Sequence, residues 1–201
     1  MSSINEQVVR EFFEMLGFFV HQPCKYLVPG RPKTPEEEVD LLIYRPEVRE
    51  FRLPNRLVWH ARDFRFIPRA VVSVRGWHTE RFTVARLLQS PEILRFAEAE
   101  SVRAAIRILG EGPMAKVLCL PQLPASEPLK GKTLETLRER GVDGVLPFPV
   151  LLRELVMRVN INRNYEKSDV LQMLRILKAY GFLEPEHQLP LFGRRRRRGG
   201  G

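Results

Sequence analysis

The sequence predicts an α/β protein: a mixed central sheet flanked by helices, followed by C-terminal helices and a disordered tail. Two patterns lead there. Short runs dense in β-branched and aromatic residues, among them VDLLIYR, RAVVSVRGW and KVLCLPQL, have the composition of buried strands. Stretches with apolar residues at helical spacing stand before and between them, and the resulting order is helix, three strands, helix, strand, helix, strand and further helices.

In chain order, residues 4–16 place Ile4, Val8, Val9, Phe12, Phe13 and Leu16 on one helical face, and Gly17 ends the helix. FFVHQPCKYLV reads as a strand interrupted or ended at Pro23, and GRPKTPEEE as a surface loop. Residues 39–45 form a short strand buried on both faces. Residues 46–64 are irregular and polar, with one strand-like piece at 57–59. Residues 69–77 carry the clearest strand, because Val71, Val72 and Val74 give the β-branched density of a central position. A long helix is expected over 83–109, with a break near Ser90-Pro91, since proline suits a first helical turn and not an interior. KVLCLPQL is a strand, 133–139 a helix, and VDGVLPFPVLL a last strand running into the helix LLRELVMRVN. Ser168 is placed to cap DVLQMLRILKAY, which stops at Gly181. That final helix resembles the end of a winged-helix module; more simply, Val170, Leu171, Leu174, Ile176 and Leu177 form a stripe for packing on the body.

The chain carries a net charge of +9, unevenly spread. Without Arg194, Arg195, Arg196, Arg197 and Arg198, 28 basic side chains stand against 24 acidic ones. A mildly basic body with a concentrated basic tail suits a polyanionic partner. Cys24 and Cys119 both lie in apolar runs and read as small hydrophobes, not as a disulfide or zinc pair. The segment MSSINEQVVREFFEML is amphipathic with acids in its middle, unlike a secretory leader. No apolar run reaches the roughly 18–20 residues that span a bilayer. The expectation is a cytoplasmic, nucleoid-associated protein with no membrane partner.

EEEVDLLIY supplies Asp40 at the head of one strand, and AVVSVRGWH places Ser73 and Arg75 at the end of the next. With the order of elements, this resembles the PD-(D/E)xK, or restriction-endonuclease-like, superfamily over about residues 4–150. The resemblance implies a DNA-processing body in which two carboxylates hold Mg²⁺ against a phosphate while a lysine assists the attacking water. Asp40 stands in the position of the first acid; Ser73 and Arg75 replace the second acid and the lysine. Ser73 brings no charge, and Arg75 keeps its proton at any working pH. A migrated metal ligand would come from Glu80, or from Glu6, Glu11, Glu14 or Glu38. Otherwise the cleft only grips a phosphate backbone, through Arg75, Arg81 and their neighbours. His21, His60 and His78 lie near strand ends without metal-ligand spacing, and Trp59 and Trp77 are candidates for stacking on bases.

Beyond residue 183, the composition of EPEHQLPLFGRRRRRGGG predicts no stable structure alone. Within it, Gln188, Leu189, Pro190, Leu191 and Phe192 resemble the pentapeptide that binds the bacterial DNA polymerase sliding clamp, with proline at the variable third position. The resemblance implies an apolar pocket on the clamp for the Leu and Phe side chains and hydrogen bonds to the Gln amide. The alternative is a hydrophobic tether folded back on the body. The expected organisation is a core over 1–150, helices over 151–183 and an arm over 184–201. The expected partner is DNA, with Mg²⁺ if the body is catalytic; a catalytically lapsed DNA-binding adaptor and an RNA-binding protein are the alternatives.

Overall fold

The computed structural model describes residues 4–24, 30–79 and 81–183. The chain divides into two compact units, Met1–Leu155 and Val156–Gly201. The first is an α/β unit built on a mixed five-stranded sheet in the order β1-β2-β3-β4-β5. Strands β1 (Phe19–His21), β2 (Leu41–Tyr44) and β3 (Arg69–Val74) form an antiparallel meander. Strands β4 (Ala115–Leu120) and β5 (Gly144–Pro147) then join β3 in parallel.

Helix α1 (Ile4–Met15) buries Val8, Val9, Phe12 and Phe13. Its end follows from Gly17, whose φ of 86° is open only to glycine at low cost. There the Gly17 N–H donates to the Glu14 carbonyl and the Phe18 N–H to that of Phe13, both at 3.0 Å, so two terminal carbonyls are satisfied and Phe18 turns inward. Phe12, Phe13, Phe18, Trp59 and Phe64 meet edge to face at ring separations of 5.1–6.2 Å. Phe64 is delivered by a 3₁₀ turn, Ala61–Phe66. The opposite side of the sheet, lined by Leu42, Val71, Leu118, Leu120 and Val145, packs with Phe82, Leu87, Ile93, Phe96, Ala105 and Leu137.

The strand-like piece at 57–59 pairs with β5: Val145 donates to the Leu57 carbonyl at 2.7 Å and accepts from the Trp59 N–H at 2.8 Å. Trp59 therefore lies flat over Gly144, where a Cβ would stand 2.5 Å from the indole ring. Gly144→Ala is expected to lower stability by about 2 kcal/mol through overpacking, read as a drop in the chemical-denaturation midpoint with an unchanged slope.

Three local expectations change. The predicted helix over 83–109 is three pieces: α2 (Val84–Gln89), a 3₁₀ stretch Pro91–Ala97 and α3 (Ala99–Leu109). Pro91 starts the middle piece, and extended backbone at Glu98 breaks the run a second time. Helix α4 (Glu127–Glu139) starts six residues earlier than predicted, with a proline in its first turn. In the loop over 30–38, Pro35–Glu38 forms a 3₁₀ turn and buries Glu37 and Glu38. Glu37 accepts from Arg31 and from the Thr34 N–H, and Glu38 pairs with Arg95 at 3.4 Å.

Helix α5 (Phe148–Arg158) continues directly from β5 and crosses the boundary between the units. In the second unit, α6 (Asp169–Ala179) begins at Ser168, whose hydroxyl accepts from the Leu171 N–H. Lys178 Nζ donates to the Val156 and Val159 carbonyls at 2.9 and 2.8 Å, closing the end of α5. Of the expected apolar stripe, Val170 and Leu171 are buried, while Ile176 is exposed. No helix among the described residues is long and apolar enough to cross a membrane.

Candidate phosphate-binding site beside Asp40

The antiparallel β2–β3 ladder continues one residue past β2, where the Asp40 N–H donates to the Val72 carbonyl at 3.2 Å. The parallel β3–β4 ladder likewise continues past β3, with the Arg75 N–H on the Cys119 carbonyl at 2.9 Å. These two extensions bring Asp40 and residues 73–75 to one end of the sheet. It is the end where the parallel strands β3, β4 and β5 all finish, the usual place for ligands in open α/β sheets. Strand alternation puts Asp40, Ser73 and Arg75 on the face of Leu42 and Val71, toward the Pro91–Ala97 turn.

One oxygen of Asp40 accepts three donors. Oδ2 accepts from the Ser73 hydroxyl at 2.9 Å, the Val74 N–H at 2.6 Å and Arg75 Nη1 at 3.3 Å. Arg75 is itself tied down, with Nη1 also on the Val74 carbonyl at 3.2 Å and Nη2 on the Ile93 carbonyl at 3.3 Å. The side chains of Asp40 and Arg75 are only 20% and 16% exposed, so their charges offset each other where water screens little. Burial, with the Asp40 charge nearby, pushes the Cys119 thiol well above its usual range, so it serves as an inert core group.

Asp40, Ser73 and Arg75 by themselves do not make a Mg²⁺ centre. Mg²⁺ needs nearly octahedral oxygen ligands and negative charge. Here one oxygen of the single acid already accepts three donors, Ser73 is neutral, and the Arg75 guanidinium brings a positive charge within 3.3 Å of it. Among the described residues, no group of three or more His, Cys, Asp or Glu side chains could hold a metal ion. Of the alternative acids, Glu6 accepts from Gln22, Glu14 from Arg10 and Glu38 from Arg95, and Glu11 also has a partner within the chain. Glu80 lies outside the described residues, as do Gln188, Leu189, Leu191, Phe192 and Arg194–Arg198.

Arg75 opens on one side into a cleft of about 410 Å³. Lys33, Arg86 and Arg95 also line it, against the acids Glu38 and Glu92. Its wall is Trp77, stacked on Phe82 at 6.1 Å, with the Arg86 guanidinium 5.0 Å over the indole ring. Trp77 Nε1 and Arg86 Nε are both buried without a hydrogen-bond acceptor among the described residues. Arg75 faces Asp40 and Arg95 faces Glu38, which leaves Lys33 and Arg86 as the lining cations without an ion pair among the described residues; with the two unsatisfied donors they make the cleft a candidate site for an anion. Lys33, Arg86 and Arg95 were not singled out from the sequence, because three separate elements supply them.

The remaining candidates have local roles. Arg81 Nη1 donates to the Leu123 carbonyl at 3.0 Å, close to the same sheet end but outside the cleft lining. His78 Nε2 hydrogen-bonds Asn5 Oδ1 at 2.8 Å, and its ring meets Phe148 edge to face. Trp59 is fully buried and donates to the Arg56 carbonyl at 3.0 Å, which takes it out of reach of a base.

Asp40→Ala would leave the Arg75 guanidinium, the Ser73 hydroxyl and the Val74 N–H short of an acceptor. The expected loss is about 2 kcal/mol of folding stability. A carboxylate kept for catalysis behaves otherwise, since its removal tends to leave stability unchanged or raise it. Urea unfolding of wild type and Asp40→Ala separates the two cases. Comparisons of this chain with protein-family models, with curated proteins and with solved structures found no match.

Proposed function

We propose that this chain is a DNA-binding protein with a PD-(D/E)xK-like body that grips the phosphate backbone without hydrolysing it. In this reading Gln188–Phe192 brings it to a bacterial sliding clamp, and Arg194–Arg198 holds the duplex that the clamp encircles. The observation that carries the reading is the Asp40 centre: one oxygen of its one carboxylate accepts from Ser73, Val74 and Arg75, and a cleft lined by Lys33, Arg86 and Arg95 opens beside it.

Two further features support it. The strand order, an antiparallel meander followed by parallel strands reached through helical connections, agrees with the order implied by the nuclease-like resemblance. The charge of the chain is concentrated in one arginine block directly after the clamp-like pentapeptide. Mg²⁺ has no part in this reading, and Arg75 acts as the counter-charge of Asp40 and as one wall of the phosphate site.

The test is a mobility-shift titration of labelled duplex DNA with the full chain, with structured RNA as competitor at matched salt. Binding to duplex that RNA does not displace preferentially is expected. Preferential displacement by RNA, or no retention of the duplex, would overturn the reading.

A further inference from the structure

A second basic site stands at the other end of the sheet. The Arg52 N–H donates to the Phe66 carbonyl at 3.1 Å, holding residues around 52 against the turn Ala61–Phe66. The Arg45 N–H bonds the Pro68 carbonyl at 2.8 Å, which fixes this region at the start of β3, whereas Arg75 follows its end. Two guanidinium groups bracket one ring: Arg52 lies 4.1 Å and Arg65 4.6 Å from the centre of Phe66. With Arg62 they line a hollow of about 360 Å³.

The charges in the hollow do not cancel. Arg52, Arg62 and Arg65 are all exposed, and none has an ion pair among the described residues. The one acid on the lining, Asp63, is already used: it accepts from Arg56 at 2.8 Å and from the His60 N–H at 2.7 Å. Stacking on Phe66 leaves the edges of the Arg52 and Arg65 guanidinium planes, where their N–H groups lie, as the polar part of each group. Three like charges around one hollow favour an anion against them.

We infer that Arg52, Arg62 and Arg65 form a second docking site for the phosphodiester backbone of duplex DNA, separate from the cleft beside Asp40. The inference rests on the DNA-binding reading for the identity of the polyanion. The six residues of β3 set the two sites roughly 20 Å apart along the strand. The turn Ala61–Phe66 packs through Phe64 on the α1 side of the sheet whereas Asp40 faces the other side, so the hollow is a separate contact; three arginines match a run of backbone phosphates, which a single free phosphate ion does not supply.

The experiment is fluorescence anisotropy of a labelled 20-base-pair duplex with the full chain across a salt series. The comparison is between wild type, Arg62→Gln and the triple variant Arg52→Gln, Arg62→Gln, Arg65→Gln. The triple variant is expected to bind at least about tenfold more weakly at physiological salt, with a slope of log affinity against log salt shallower by roughly 2 to 3. Arg62→Gln, which removes an exposed side chain with no ion pair among the described residues and so keeps the fold, is expected to reduce the slope by about 1. Inorganic phosphate at constant ionic strength should not displace the duplex from wild type. Unchanged affinity and slope in the variants, with wild type binding normally, would overturn this site alone. Displacement by inorganic phosphate only from proteins that keep the three arginines would overturn duplex as its ligand. A wild-type chain that fails to bind the duplex overturns both this site and the reading it rests on.

Discussion

Replacing Leu191 and Phe192 together by alanine is expected to weaken binding of the full chain to a purified bacterial sliding clamp by at least about a hundredfold. In peptide docking of this kind, a few apolar side chains filling a preformed pocket supply most of the free energy. Each such anchor is worth on the order of 2 kcal/mol or more, and two of them exceed a factor of about 100. Gln188→Ala should cost less, about tenfold, because it removes an orienting hydrogen bond and fills no pocket. Surface plasmon resonance with immobilised clamp reads both values. The body and the arginine block are untouched by these substitutions, so affinity for bare duplex should stay at the wild-type level. Equal clamp binding by wild type and the double variant would assign Leu191 and Phe192 to some other partner or to the body itself.

Deleting Arg194–Arg198 should produce the second large effect, this time on DNA and in a form that salt exposes. Each arginine that neutralises a phosphate releases about one condensed counterion, so five of them steepen the dependence of log affinity on log salt by roughly 4 to 5. Between 50 and 200 mM salt, that steepening alone corresponds to an affinity change of several hundredfold. The truncated chain should therefore bind duplex more weakly at low salt and lose affinity less steeply as salt rises, with the slope that the arginines of the body leave. Clamp binding through Gln188–Phe192 should persist in it. An unchanged salt slope after truncation would mean that the block does not touch DNA, and that the body carries the electrostatic contact unaided.

Much of the body was legible because its signals are local. The β-branched runs at 41–44, 69–74 and 115–120 are strands, and the periodicity of 4–16 and the Ser168 cap mark their helices within a residue or two. What was not legible depends on contacts distant in sequence. The piece at 57–59 is extended because Val145 pairs with it, and no pattern within 46–64 announces that partner. The second break, at Glu98, has no proline or glycine to announce it; the 3₁₀ stretch that it ends lies against β3. The buried pair of Glu38 was hidden for the same reason, since its cation lies at Arg95.

The site divides in the same way. Asp40, Ser73 and Arg75 could be brought together from the sequence, because an antiparallel pair of adjacent strands places the head of one beside the tail of the other. Their relation to each other could not. A serine and an arginine in place of an acid and a lysine read as two losses from a metal site; in the structure both bond the same oxygen of Asp40 and make one new arrangement. The arginines around Phe66 lay in the stretch with the least regular pattern, although the alternation of arginine and aromatic residues over 45–69 is itself a signal for a polyanion surface.

Whether the Asp40 centre grips DNA or cuts it is decided by incubating the full chain with end-labelled single-stranded, nicked and branched DNA, with Mg²⁺ or Mn²⁺, and resolving each sample on native and denaturing gels. The reading advanced here predicts retarded DNA on the native gel and full-length strands on the denaturing one, for wild type and Asp40→Ala alike. Shortened strands with wild type that disappear with Asp40→Ala would contradict it and make Asp40 a catalytic residue.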